Sequence, residues 1–139
     1  TVTILQEINS GCKTATNSIE QVMPSIVDDD LKELISFYKE KHVRIGESAA
    51  VLLNKAEKSE KDPNWMARAM TWIGTEMRLM MGEENRQIAK VMMDGCNMGV
   101  QKLVEAKNDC TDASPESVRL LEELIETEEE FAEKMKPYL

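Results

Sequence analysis

The chain has 139 residues, of which 42% are hydrophobic and 31% charged, a composition that excludes a disordered chain and a membrane protein. Its formal net charge of −9 repels phosphate backbones and anionic lipid surfaces, so we expect neither nucleic acid nor a membrane as partner. The first residues lack the basic and apolar regions of a signal peptide, and we therefore predict a cytoplasmic protein with a single domain over residues 1–139.

Apolar side chains recur at every third or fourth position through the first part of the chain, which is the period of an amphipathic helix. A first helix is predicted over residues 3–23, and Pro24 ends it. A second helix begins after the aspartates at 28–30, which suit the positive pole of a helix, and runs to Lys58. Its apolar stripe consists of Leu31, Ile35, Tyr38, His42, Ile45, Ala49, Leu52 and Ala56.

The next segment is apolar around most of its circumference. Asp62 and Pro63 are a helix start signal, and a helix is predicted over residues 63–81. A helix of this composition must be covered on more than one side, so we expect it to pack against a second copy of the chain or a protein partner. The predicted interaction surface consists of Trp65, Met66, Met70, Trp72, Met77 and Met81. The expected assembly is a homo-oligomer, most simply a dimer.

Two more long helices complete the predicted fold. The third is opened by Glu83 and Glu84 and runs to about Lys107, with an apolar stripe at Ile88, Val91, Gly95, Met98 and Leu103. The fourth begins at Ser114 and Pro115 and ends near Pro137, with a stripe at Val118, Leu121, Ile125, Glu128, Ala132 and Met135. The predicted fold is therefore all-α, an antiparallel four-helix bundle with an extra apolar helix between the second and third long helices.

The order of these helices resembles that of uncharacterised bacterial ferritin-like four-helix-bundle domains. Two stretches are also similar to clostridial-type hypothetical proteins of this length, namely Met70-Thr71-Trp72-Ile73-Gly74 and Gly95-Cys96-Asn97-Met98-Gly99. The resemblance implies a ferritin-like bundle and brings no assigned activity. The chain departs from the di-iron pattern of ferritin-like enzymes, because its one histidine, His42, follows Lys39 and no Glu-x-x-His pair exists.

His42 occupies a core position near the middle of the second helix, where an apolar residue is expected. Counting from the middle of each helix places Cys12 and either Gly95 or Cys96 at the same level, with Ile125 and Glu128 nearby on the last helix. An imidazole, two thiols and a carboxylate at one level are suitable ligands for a divalent metal such as zinc or iron. The alternative is that His42 hydrogen-bonds Glu128 or a backbone carbonyl, and that the cysteines are small core residues.

Glycines surround the same level of the bundle. Gly11, Gly46 and Gly95 lie within about a turn of the His42 layer, where each weakens its helix. They either open space for a small ligand or let the helices approach closely. The spacing of Gly95 and Gly99 favours close approach.

Two functions follow from these patterns. The first is a non-enzymatic bundle that acts by self-association or by binding a protein partner through the 63–81 helix. The second is a divergent ferritin-like bundle with a single metal or small-ligand site around His42. The sequence carries no glycine-rich phosphate loop and no nucleophile motif, so no enzymatic activity is predicted.

Overall fold

A computed structural model describes residues 1–56 and 84–139, which form four α-helices and contain no strand. Two short 3₁₀ turns follow the first and last helices, at Met23–Ser25 and Lys136–Tyr138. The helices are α1 (Val2–Val22), α2 (Asp29–Lys55), α3 (Glu84–Asp109) and α4 (Pro115–Met135). The all-α prediction is confirmed for this part of the chain. None of these helices combines the length and apolar character that a membrane span needs.

The helix predicted over residues 63–81 falls outside the described residues. The same holds for its predicted interaction surface of Trp65, Met66, Met70, Trp72, Met77 and Met81, and for the predicted end of the second helix at Lys58. The structure therefore leaves the extra helix and the expected dimer contact as predictions.

Side-chain caps begin two of the helices at the positions that the sequence predicts. The Asp28 carboxylate accepts a hydrogen bond of 2.9 Å from the backbone N–H of Leu31 at the start of α2. The Ser114 hydroxyl accepts one of 3.2 Å from the N–H of Ser117, with Pro115 in the first turn of α4. Each cap satisfies a backbone donor that has no partner within its helix, and so fixes where the helix begins.

The helices form two closely packed pairs, α1 with α2 and α3 with α4, and smaller contacts join α1 to α3 and both α1 and α2 to α4. One apolar core contains the first half of α1, the second half of α2, the second half of α3 and the first half of α4. A second core contains the opposite half of each helix. Between the two cores lies a polar layer that includes His42 and Glu128.

The buried stripes differ from the predicted ones by one residue at several positions. In α2 the fully buried residue near the end is Leu53, whereas Leu52 is half-buried and Ala56 exposed. In α3 the buried residue is Cys96, and Met98 is 47% exposed. In α4 the stripe passes through Leu121, Leu124, Glu128, Phe131 and Met135, so that Ile125 and Ala132 are only half-buried. The buried positions of α4 alternate steps of three and four residues, which is the spacing of closely aligned helices. The predicted stripe stepped four residues from Leu121 to Ile125, whereas the buried stripe steps three residues to Leu124.

Candidate functional site

His42 and Glu128 form a buried pair in the layer between the two cores. The His42 side chain is fully buried and Glu128 is 6% exposed. The Nε2 atom of His42 contacts Oε1 of Glu128, and Nδ1 lies 2.6 Å from the carbonyl oxygen of Tyr38. Because a carbonyl can only accept, Nδ1 is the donor in that bond. The two partners that the sequence offered as alternatives, Glu128 and a backbone carbonyl, are therefore both present.

The surroundings of His42 act on its pKa in opposite directions. Burial is the largest influence and lowers the pKa, because it disfavours the charged ring. The charge of Glu128, its hydrogen bond to the ring and the Tyr38 carbonyl all raise the pKa, and together they outweigh burial. The pKa of His42 therefore lies above its usual value of 6.5. These contacts favour the protonated form of the ring over the neutral form.

The raised pKa predicts that the protein loses stability as the pH rises above neutral. The folded state binds the His42 proton more tightly than the unfolded state, so this contribution is complete below about pH 6.5 and is lost as the pH passes the folded pKa. The slope reaches at most about 1.4 kcal/mol per pH unit for one proton. Urea unfolding of the wild type and of His42→Gln between about pH 6 and pH 8 measures how the free energy of unfolding depends on pH in each protein. Parallel curves for the two proteins would contradict the prediction.

The two buried cysteines of the layer hold protonated thiols. Burial, followed by the charge of Glu128, raises the pKa of both Cys12 and Cys96. Cys96 also hydrogen-bonds Glu128, so its thiol is a donor to the carboxylate. A protonated thiol is a poor nucleophile, which argues against covalent chemistry at either position. The third cysteine, Cys110, is half-buried against the apolar core that contains the first half of α1.

Three of the four predicted metal ligands are in direct contact. Glu128 contacts His42 and Cys96, whereas Cys12 lines a separate groove between α1 and α2 together with His42. Among residues 1–56 and 84–139, no group of three or more His, Cys, Asp or Glu side chains is arranged to hold a metal ion. The side chains as placed satisfy one another, so zinc or iron binding stays a prediction that would require them to rearrange.

Glycines at two positions allow close approach to the layer. A Cβ atom added at Gly99 would lie 3.2 Å from Oε2 of Glu128, and one at Gly46 would lie 3.0 Å from Cβ of Cys12. Both contacts are tighter than ordinary packing permits, so these glycines let Glu128 lie against α3 and α1 lie against α2. A Cβ at Gly95 would meet no atom of the described residues within 4 Å. Close approach thus explains Gly46 and Gly99, and open space surrounds Gly95.

The open space belongs to a cavity of about 70 Å³ between α1 and α3, beside the His42–Glu128 pair. A single water needs roughly 10–15 Å³ of such space, so the cavity has room for a molecule of several atoms. Gly95 and Lys102 line the cavity and are also exposed, so the cavity reaches the surface there. Its wall is mainly apolar, and includes Ala15, Ile19, Val91, Met92, Leu103, Leu124 and Phe131.

Thr14 is a member of the cavity wall that sequence reasoning missed. It is 6% exposed, and its hydroxyl oxygen has no hydrogen-bond partner among residues 1–56 and 84–139. Its spacing offered a signal, because Thr14 lies three residues after Gly11 and so on the same face of α1. The hydroxyl oxygen is enclosed by protein atoms and, within the described part of the chain, lacks the partner that buried polar groups normally have.

Phe131 is a second member of the wall, and the predicted apolar stripe of the last helix did not include it. It is buried, stacks on Tyr38 with ring centroids 4.8 Å apart, and lies 6.2 Å from the His42 ring. The Tyr38 hydroxyl donates a hydrogen bond of 2.6 Å to Glu130, which fixes the orientation of that ring. The stacked rings therefore form a rigid wall at one end of the cavity.

The site thus combines the His42–Glu128 pair and the protonated Cys96 thiol beside a mainly apolar space. Such groups suit hydrogen bonding to a small molecule. The likeness to ferritin-like domains rests on the sequence pattern alone. No family model, curated protein or solved structure matches this chain.

Proposed function

We propose that this chain is a helical-bundle protein that binds a small ligand in the cavity beside His42 and Glu128. The observation that carries the proposal is the mainly apolar cavity of about 70 Å³ beside the buried His42–Glu128 pair, which reaches the surface at Gly95. A molecule that fills this space would bind the folded state and not the unfolded one, and would therefore stabilise the fold.

The glycines support the proposal. Gly11, Gly95 and Gly99 all line the cavity, and a side chain at Gly95 would have free space around its Cβ atom. A helix gains about 0.5–1 kcal/mol when alanine replaces such a glycine, so the chain forgoes stability at Gly95. Retaining glycine there keeps the cavity open beside the exposed surface.

We also propose the antiparallel, ferritin-like arrangement of the helices. The first half of α1 shares a core with the second half of α2, and the first half of α4 shares it with the second half of α3. This distribution supports two antiparallel pairs, with α2 and α3 running in the same direction. A link between helices that run in the same direction must cross the length of the bundle, and ferritin-like folds have one such long connection.

Self-association through the 63–81 helix remains a separate prediction. It rests on the apolar character of that segment, which lies outside the described residues. A ligand site in the cavity and a dimer contact at that helix do not exclude each other, because they use different residues.

Thermal unfolding with a panel of small neutral, cationic and anionic compounds tests the ligand proposal. A compound present at about 100 times its Kd is expected to stabilise the wild type by about 2.7 kcal/mol. Gly95→Leu, which adds bulk at the cavity wall, is expected to remove this response. Met98→Leu is the matched control, because Met98 is exposed on the same helix and does not line the cavity.

Two further measurements complete the test. NMR shifts caused by a bound compound are expected at Thr14, His42 and Phe131. Elemental analysis of protein purified without a histidine tag shows whether the protein carries a metal. Thermal unfolding with added zinc or iron shows whether either metal stabilises the fold. If no compound shifts these resonances or the melting curve, the proposal is wrong. If zinc or iron alone does so, the metal site replaces it.

A further inference from the structure

The size of the cavity restricts the ligand most strongly. An engineered apolar cavity of about 150 Å³ in another protein holds benzene. The cavity between α1 and α3 has about 70 Å³, close to half of that volume. Its wall extends along α1 from Glu7 to Ile19, about 18 Å of helix, so the space is elongated as well as small. By proportion it has room for a molecule of roughly two or three heavy atoms, and a benzene-sized ring would force the surrounding side chains apart.

The buried part of the wall is mainly apolar. Its buried apolar side chains are those of Ile19, Val91, Met92, Leu103, Leu124 and Phe131. Thr14 also belongs to the wall, but its hydroxyl oxygen is enclosed by protein atoms and does not border the space. A molecule in the inner part of the cavity therefore gains dispersion contacts with these side chains rather than hydrogen bonds.

Three polar residues of the wall lie at its outer edge. Glu7 and Ser18 are half-buried and Lys102 is exposed, so water reaches these side chains without the help of a ligand. Gly95 is exposed as well, and the cavity opens to the solvent beside it. The cavity thus has a polar edge and an apolar interior.

The polar groups of the layer are already paired with one another. His42 contacts Glu128, and the Cys96 thiol hydrogen-bonds the same carboxylate. The contacts of His42 favour its protonated ring, whose charge compensates that of Glu128. An ion that entered the inner cavity would lose its hydration without gaining an unpaired counter-charge from this layer. The layer therefore favours an uncharged molecule.

We infer that the cavity binds an uncharged, apolar molecule of roughly two or three heavy atoms, the class of small gases to which dioxygen and ethylene belong. This inference rests on the proposed function and specifies its ligand class. The gas enters beside Gly95 and lies against the apolar side chains between α1 and α3.

Methyl NMR of the full chain under ethylene or xenon pressure tests the inference. Shifts are expected at Ile19, Val91 and Leu124, which line the cavity, and not at Leu121, which is buried in the same core as Leu124 but lies outside the cavity. Since the binding of so small a molecule is limited by its number of atoms, we expect a Kd no tighter than about 1 mM. Benzene is too large, and formate and methylammonium are ions of matching size. All three are expected to bind at least about 5-fold more weakly than ethylene.

Variants that enlarge the cavity test the role of its size. Leu103→Ala removes part of the wall and is expected to bind benzene at least about 5-fold more tightly than the wild type, because the ring then displaces fewer side chains. Val91→Ala is a smaller truncation of the same wall and replaces Leu103→Ala if that variant does not fold. Val104→Ala is the matched control, because it makes the same truncation at an exposed position of α3 outside the cavity. It is expected to leave every Kd unchanged.

The outcomes separate the inference from the proposed function. If benzene binds the wild type as tightly as ethylene, or if formate or methylammonium binds more tightly, the ligand class is wrong and a ligand site remains. If benzene binds the enlarged variants no better than the wild type, the argument from size is wrong and the inference is overturned. If neither gas binds and the wider panel of compounds also fails, the proposed function is wrong and the inference fails with it.

Discussion

Glu128→Ala is expected to lower the free energy of unfolding by about 3–5 kcal/mol, because it leaves the buried His42 ring without its counter-charge. The substitution also removes the acceptor of the Cys96 thiol and leaves a void in the polar layer. Urea unfolding followed by circular dichroism at about pH 6 measures the effect, since the ring is protonated there. If the layer contributed only packing, Glu128→Ala would lower the free energy of unfolding by less than this.

A neighbouring glutamate provides the control. Glu129 is exposed on the same helix, and Glu129→Ala is expected to change the free energy of unfolding by no more than about 0.5 kcal/mol. A second variant, Glu128→Gln, keeps the size of the side chain and removes its charge. Its expected effect is a lower pKa of His42 in NMR titration, because burial still lowers that pKa and the opposing charge has gone. An unchanged pKa would show that the pair is not the cause of the shift.

Alanine at Gly95 and alanine at Gly99 are expected to have effects of opposite sign, although both positions belong to α3. Gly95→Ala is expected to stabilise the protein by about 0.5–1 kcal/mol, since its Cβ meets no atom within 4 Å. Gly99→Ala gains the same helical preference, but its Cβ would lie 3.2 Å from the Glu128 carboxylate and displace it from His42. We expect Gly99→Ala to be less stable than Gly95→Ala by about 1–3 kcal/mol.

Chemical unfolding of the two variants gives the comparison directly. The helix preference of alanine over glycine is common to both, so the difference isolates the contact with Glu128. The pKa of His42 is expected to fall in Gly99→Ala and to stay unchanged in Gly95→Ala. Equal stabilities would mean that the carboxylate moves aside without cost, and the argument for close approach at Gly99 would then be wrong.

The helices and their starts could be predicted from the sequence because they depend on local chemistry. Apolar spacing, the Asp28 cap and the Ser114 cap act within one turn of the chain. Counting from helix centres also brought His42 and Glu128 to one level, since long helices of similar length align along the bundle axis. The contact of His42 with the Tyr38 carbonyl, four residues earlier in the same helix, is likewise a local matter.

The cavity could not be predicted in the same way. It exists where the side chains of α1 and α3 leave part of the space between the two helices unfilled, and the distance between two helices depends on all the side chains between them. The burial of Phe131 and Thr14 follows from the exact rotation of α4 and α1, and an error of one residue moves a side chain by about 100° around the helix. Such an error placed Ile125 in the predicted stripe instead of Leu124.

The polar layer between the two apolar cores also has a consequence for the alignment of the helices. Sliding α2 along α4 by one turn, about 5.4 Å, would still match apolar side chains with apolar side chains in each core. It would, however, place the His42 ring opposite Leu124 or Phe131 and separate the buried ring from the Glu128 carboxylate. A single ionic contact therefore selects one axial position among several that the hydrophobic effect alone would accept, in the way that a lone polar residue selects the register of a coiled coil.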